Sequence, residues 1–130
     1  MKLLTGIFLL MLTLPLFAQK SPNAQVPKYN AAAESVFKGT VEDMIDRRCP
    51  VSGGMGSHIL LRFADDSTIE VHLATTEFTK MIELNLRKRD RVEVTGFKTE
   101  FDGVPTIFAR AVKRGIDEYV FRDTRGKPVW

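Results

Sequence analysis

Residues 58–63 and 68–73 alternate apolar and polar side chains in phase about Asp65-Asp66-Ser67, and this mirrored pattern constrains the fold more than any other part of the chain. Ile59, Leu61 and Phe63 fall on one face of the first run, and Ile69, Val71 and Leu73 on the matching face of the second. A period of two marks a half-buried strand, and two such runs about a short polar turn make a hairpin. The pattern suggests a register in which Phe63 faces Ile69, Leu61 faces Val71 and Ile59 faces Leu73. Leu60 then lies opposite His72, with His58 as its diagonal neighbour on the outward face.

The remaining elements follow from changes of period. Residues 35–45 read as a strand, with Val36, Val41 and Ile45 at apolar positions and Gly39 where a curved strand kinks. Residues 46–57 carry Pro50 and three glycines and read as a loop. Between 75 and 86 the spacing becomes helical at Phe78, Met81, Ile82 and Leu86, with Thr75 or Thr76 as N-cap and Glu77 in the first turn. Residues 91–97 and 106–112 form a second hairpin about Asp102-Gly103, and a short extended piece at 118–122 precedes a turn at 123–126. The order is β-β-β-α-β-β, an all-β fold with one short helix, and the arrangement expected is an OB-fold-like five-stranded barrel. An SH3-like barrel competes, but it lacks a three-turn helix at that point. Cys49 is the single cysteine, so no internal disulfide staples the fold, and a closed sheet without open edges has to hold by packing.

The ends of the chain bear on compartment. Met1-Lys2, the apolar run to Leu16, Pro15 and the small Ala18 have the anatomy of a cleaved secretory signal peptide over residues 1–18. The run falls short of the roughly 20 apolar residues of a membrane-spanning helix. Gln19 stands where a lipoprotein carries cysteine. Residues 19–33, with Pro22, Pro27 and three successive alanines, read as a flexible linker, and 34–130 as the barrel domain. The expected location is periplasmic or secreted, with no stable membrane insertion after cleavage.

Charge excludes more than it assigns. Nineteen basic against sixteen acidic residues give +3, far from the bias of a nucleic-acid binder. The one dense basic cluster, at residues 87–91, reads as a solvated loop. Phe97, Phe101 and Phe108 are the aromatics an OB-type oligonucleotide groove would use, yet export argues against that partner. The glycines at 53, 54 and 56 lack the lysine and hydroxyl of a phosphate-binding loop and precede a strand rather than a helix. No nucleophile, base and orienting group fall into a catalytic spacing, so the chain is expected not to be an enzyme.

One constellation carries chemistry. His58 and His72 share a face of the hairpin, and Cys49 or Met55 can be carried toward them by the glycine-rich loop. Imidazole with soft sulfur favours copper or zinc, so His58, His72 and Cys49 are the candidate metal ligands. The plain alternative is a pair of solvated histidines on a polar face.

Several segments together resemble a known group: residues 54–61, 69–74, 89–96 and 109–112, then Phe121-Arg122-Asp123, Gly126-Lys127-Pro128 and Trp130. They are similar to small exported bacterial OB-like proteins of unknown function, related to a domain of magnetosome-associated proteins. One departure is Arg89, which stands where that group has glycine before the aspartate of the fourth-strand motif. The resemblance implies the barrel and brings no catalytic set. The function expected is an exported binding module for a small ligand, metal or envelope protein. Its alternatives are an accessory subunit of an envelope metal or redox complex, or an oligonucleotide binder.

Overall fold

The computed structural model describes residues 26–130. The signal peptide expected over residues 1–18 lies outside the described residues. Six strands follow in chain order: β1 (Ser35–Arg48), β2 (Met55–Arg62), β3 (Thr68–Thr75), β4 (Arg91–Phe101), β5 (Val104–Arg114) and β6 (Asp117–Val120), with helix α1 (Thr76–Met81) between β3 and β4. The sheet order is β3-β2-β1-β4-β5-β6, and a parallel pairing of β3 with β5 closes the first five strands into a ring. This is the expected OB-like arrangement, as a closed ring-like sheet rather than an evenly round barrel. β3 and β6 share one edge of β5: β3 takes residues 106–108 and β6 takes residues 111–114.

The interior is filled by the alternating apolar positions. Val41, Ile59, Leu61, Val71, Leu73, Val94, Ile107, Val112 and Phe121 are all essentially inaccessible. At the start of β1 the inward residue is Phe37, which packs against this core, while Val36 is exposed. A slip of one residue exchanges the faces of a strand, which is how the expected position of Val36 comes to be reversed. β1 serves two neighbours, pairing with β4 through Thr40 and with β2 from Thr40 onward. Gly39 sits at that change-over, where a Cβ would collide with the Arg62 carbonyl oxygen.

The β2–β3 hairpin differs from the expected register by two residues. Ile59 faces Val71, Leu61 faces Ile69 and His58 faces His72 directly. The cause is the turn: Phe63 N donates to Ser67 O, Asp66 N donates to Phe63 O, and Asp66 adopts a φ of 66°. A three-residue loop ending in a left-handed residue closes the hairpin sooner than the five-residue loop of the expected pairing. Both registers keep the same residues inside, so alternation alone does not distinguish them.

Helix α1 is shorter than its sequence period. Thr75 caps it, its hydroxyl accepting from Phe78 N at 3.2 Å. The helix ends at Met81, and Glu83 turns left-handed with a φ of 54°. Ile82 and Leu84 still pack against the core and Leu86 is buried within it. Their apolar spacing therefore serves a folded-back segment as well as a helix.

Candidate metal centre on the outer face of the first hairpin

Alternation places His58, Glu70 and His72 on the outer face of β2 and β3, opposite the core residues. The register set by the turn runs unbroken to His58 and His72 and places the two imidazoles side by side; only beyond that pair does a β-bulge between Ser57 and His58 leave Leu73 without a direct partner on β2. Their ring centroids are 4.0 Å apart and their planes 16° from parallel. His58 Nδ1 lies 2.8 Å from Glu70 Oε1, and His72 Nε2 lies 3.9 Å from the same oxygen. Arg47 Nη1 donates to the other carboxylate oxygen at 3.2 Å.

This face is not solvated. His58 is 3% and His72 9% exposed, because a second layer covers them. Phe108, paired with His72 across the β3–β5 seam, tilts against its ring at 4.8 Å, and Phe101 meets it edge-on at 5.8 Å. A second bulge contributes the rest of the cover. Arg110 is the extra residue of β5 between its pairings at Gly96 and Thr95, and its carbonyl accepts from Phe121 N and Arg122 N. That pulls the C-terminal segment back onto the barrel. Arg122 and Trp130 then line a void of about 10 Å³ together with Cys49, His58, His72 and Phe108.

Arg122 is 93% buried by its 7% exposure, and among the described residues it has no carboxylate partner. Its Nη1 donates to Gly126 O at 2.8 Å, while its Nε has no hydrogen-bond partner among the described residues. The guanidinium lies 5.1 Å from the centre of the Tyr29 ring and 6.0 Å from that of Phe108. Burial pulls its pKa below the ordinary arginine value, opposed by attraction to Tyr29 and Cys49. Tyr29, in the segment expected as linker, packs on Phe97 and donates from its hydroxyl to Glu34 at 2.7 Å.

The converging donors are His58, Glu70 and His72, one ligand atom from each lying within 4.8 Å of the others. Two of the three, His58 and His72, were candidates from sequence. Glu70 was missed, although its position two residues before His72 on a strand puts it on the same face. Cys49 is buried in the adjoining void but lies outside the converging group. Met55 begins β2 opposite Arg48 and is exposed, so the loop does not bring it over. Phe101 and Phe108 are packed under the hairpin face rather than displayed as stacking platforms.

The arrangement suits a cation. Ligands about 2.0–2.2 Å from one tetrahedral ion stand roughly 3.3–3.5 Å from each other. The two separations from Glu70 Oε1, 2.8 and 3.9 Å, bracket that spacing. Small adjustments of side chains already desolvated and confined would bring all three onto an ion. A larger cavity of about 620 Å³ opens elsewhere, at a mouth lined by Lys38, Arg62, Phe63, Arg91, Val92 and Lys113. Its basic groups are spread around a rim, whereas the smaller site has donors that converge, and convergence is what ligation requires.

No helix among the described residues is long and apolar enough to cross a membrane. No curated protein and no solved structure matches the chain. The model of the MamS/MamX magnetosome protein family matches residues 34–118, from the residue before β1 to the start of β6, and the chain belongs to that family.

Proposed function

We propose that the protein is an exported, non-enzymatic metal-binding module of the bacterial envelope, holding a divalent first-row ion through His58, Glu70 and His72. The single observation that carries this is the buried pair of imidazoles converging with a carboxylate, within 4.8 Å, on the strand face that OB-type barrels use for ligands. Two imidazoles and one carboxylate suit zinc, copper(II) or iron(II). Arg47 and the aromatic cover orient the donors and limit water, as outer groups do around metal ligands. Three protein ligands leave a position open, which suits delivery of an ion to an envelope partner. Placement in a magnetosome protein family is consistent with such a role. Binding of single-stranded nucleic acid is disfavoured by the burial of Phe101 and Phe108.

Equilibrium dialysis of the mature protein against Zn(II) and Cu(II), beside a His58→Ala/His72→Ala variant, tests the reading. One ion per chain in the wild type and none in the variant supports it. Equal uptake by the two proteins ends it.

A further inference from the structure

The ring of His58 has a second nitrogen, and it points at something else. With Nδ1 held by Glu70 at 2.8 Å, Nε2 lies beside Gly56. A Cβ built on Gly56 would stand 3.3 Å from His58 Nε2 and 2.9 Å from Cys49 Cβ. The space that side chain would fill thus borders both the Cys49 Cβ and the His58 ring. Any larger residue at 56 would wedge between them or displace one.

The thiol belongs to a fixed backbone. Cys49 N donates to Gly54 O, and Gly53 N donates to Cys49 O at 2.8 Å, closing the β1–β2 loop at its neck. Only rotation about the Cys49 Cα–Cβ bond is needed to change where the sulfur points. The second, independent observation is Arg122. A guanidinium this deeply buried, with no carboxylate among the described residues and an unpartnered Nε, lines the same void as Cys49 and His58. It supplies a fixed positive charge beside the thiol, the setting in which a thiolate is compensated.

We propose that Cys49 and His58 Nε2 form a two-ligand site for copper(I) that overlaps the divalent one at His58, extending the metal reading of this face to a softer ion. Thiolate sulfur suits both copper(I) and zinc, and a pair of ligands suits the cuprous ion, since zinc takes three or four from the protein. The thiol gives up its proton as it takes the copper(I) ion, so loading adds no net charge beside Arg122, while Glu70 keeps its partner Arg47. Glu70 changes role between the two modes: it ligates a divalent ion directly, and for copper(I) it holds His58 in the tautomer whose Nε2 lone pair faces the sulfur. A neutral imidazole offers one lone pair, so the two modes compete for His58.

The test is anaerobic competition for copper(I) against a chromogenic cuprous chelator, run beside Zn(II) dialysis on the wild type, Cys49→Ser and His72→Ala. The wild type is expected to hold one copper(I) with ultraviolet thiolate-to-copper absorption. Cys49→Ser is expected to lose about 100-fold in copper(I) affinity with Zn(II) uptake unchanged. His72→Ala is expected to lose Zn(II) and keep copper(I), which separates this site from the divalent one. Copper(I) affinity in Cys49→Ser within about threefold of wild type overturns the proposal, as does a wild type that takes up no copper(I). Alkylation of unsubstituted protein gives a check that needs no variant to fold. Copper(I) should shield Cys49 from iodoacetamide, and equal labelling with and without the ion overturns the proposal too.

Discussion

His58 and His72 occupy directly paired positions on adjacent strands and stack 4.0 Å apart, under a cover built by residues far along the chain. The pairing depends on a hairpin that closes in three residues, and it is the last pair before a bulge that leaves Leu73 without a partner on β2. The cover depends on a different bulge, at Arg110, which draws Phe121 and Arg122 onto the barrel. Local chain geometry therefore brings the donors together, and long-range packing dries them.

The C-terminal residues are expected to stabilise the domain and not only to shield the site. Trp130 packs against the core, Val129 N donates to Phe121 O and Arg122 bridges to Pro128. Removing residues 128–130 uncovers a large, partly buried aromatic contact, so a loss of about 1–3 kcal/mol is expected. Urea unfolding checks this; an unmoved midpoint contradicts it.

Acid should loosen the cluster that docks the N-terminal arm. Hydrogen bonds from Arg110 at about 3 Å, joined by one from the Tyr29 hydroxyl, hold the Glu34 carboxyl below its ordinary value despite partial burial. A carboxyl lowered in the folded state stabilises it above its unfolded value, 4.5, and that contribution is lost as pH falls through the lower native value. Wild type should therefore exceed Glu34→Gln in stability near neutrality, and the gap should narrow on acidification below that range. Thermal melts across pH test the sign, and a gap that widens in acid refutes it.

Arg89 gives a test of backbone conformation. It holds a φ of 74°, with its N–H donating to Val41 O at 2.8 Å, so the turn before β4 keeps a glycine-like geometry without glycine. A β-branched residue there should cost about 1–2 kcal/mol, while glycine should cost nothing or stabilise slightly. Denaturation of Arg89→Val and Arg89→Gly distinguishes the two effects; equal loss in both would show that the side chain rather than the backbone governs this turn.

Much of the barrel was legible because Ile59, Leu61, Ile69 and Val71 alternate without interruption, and the strand order leaves few ways to bury them. The register was not, since Ile59 meets an apolar partner whether it faces Val71 or Leu73, and the choice lies in the left-handed turn at Asp66. Within the site, His58 and His72 stood out as the two histidines of the chain. Glu70 looked like any outward carboxylate on a polar face. What makes it a candidate ligand is its convergence with two imidazoles whose burial is supplied by Phe108 and Arg122, contacts that close only when β5 and the C-terminal segment fold back. Periodicity describes one element at a time and does not reveal a second layer laid over its outer face.

The central claim meets its most direct test in a crystal of the Zn(II)-loaded protein measured at the zinc absorption edge. The account predicts one anomalous peak about 2.0–2.2 Å from a nitrogen of His58, an oxygen of Glu70 and a nitrogen of His72. Zinc bound elsewhere, with the three side chains left in their unliganded arrangement, would contradict it.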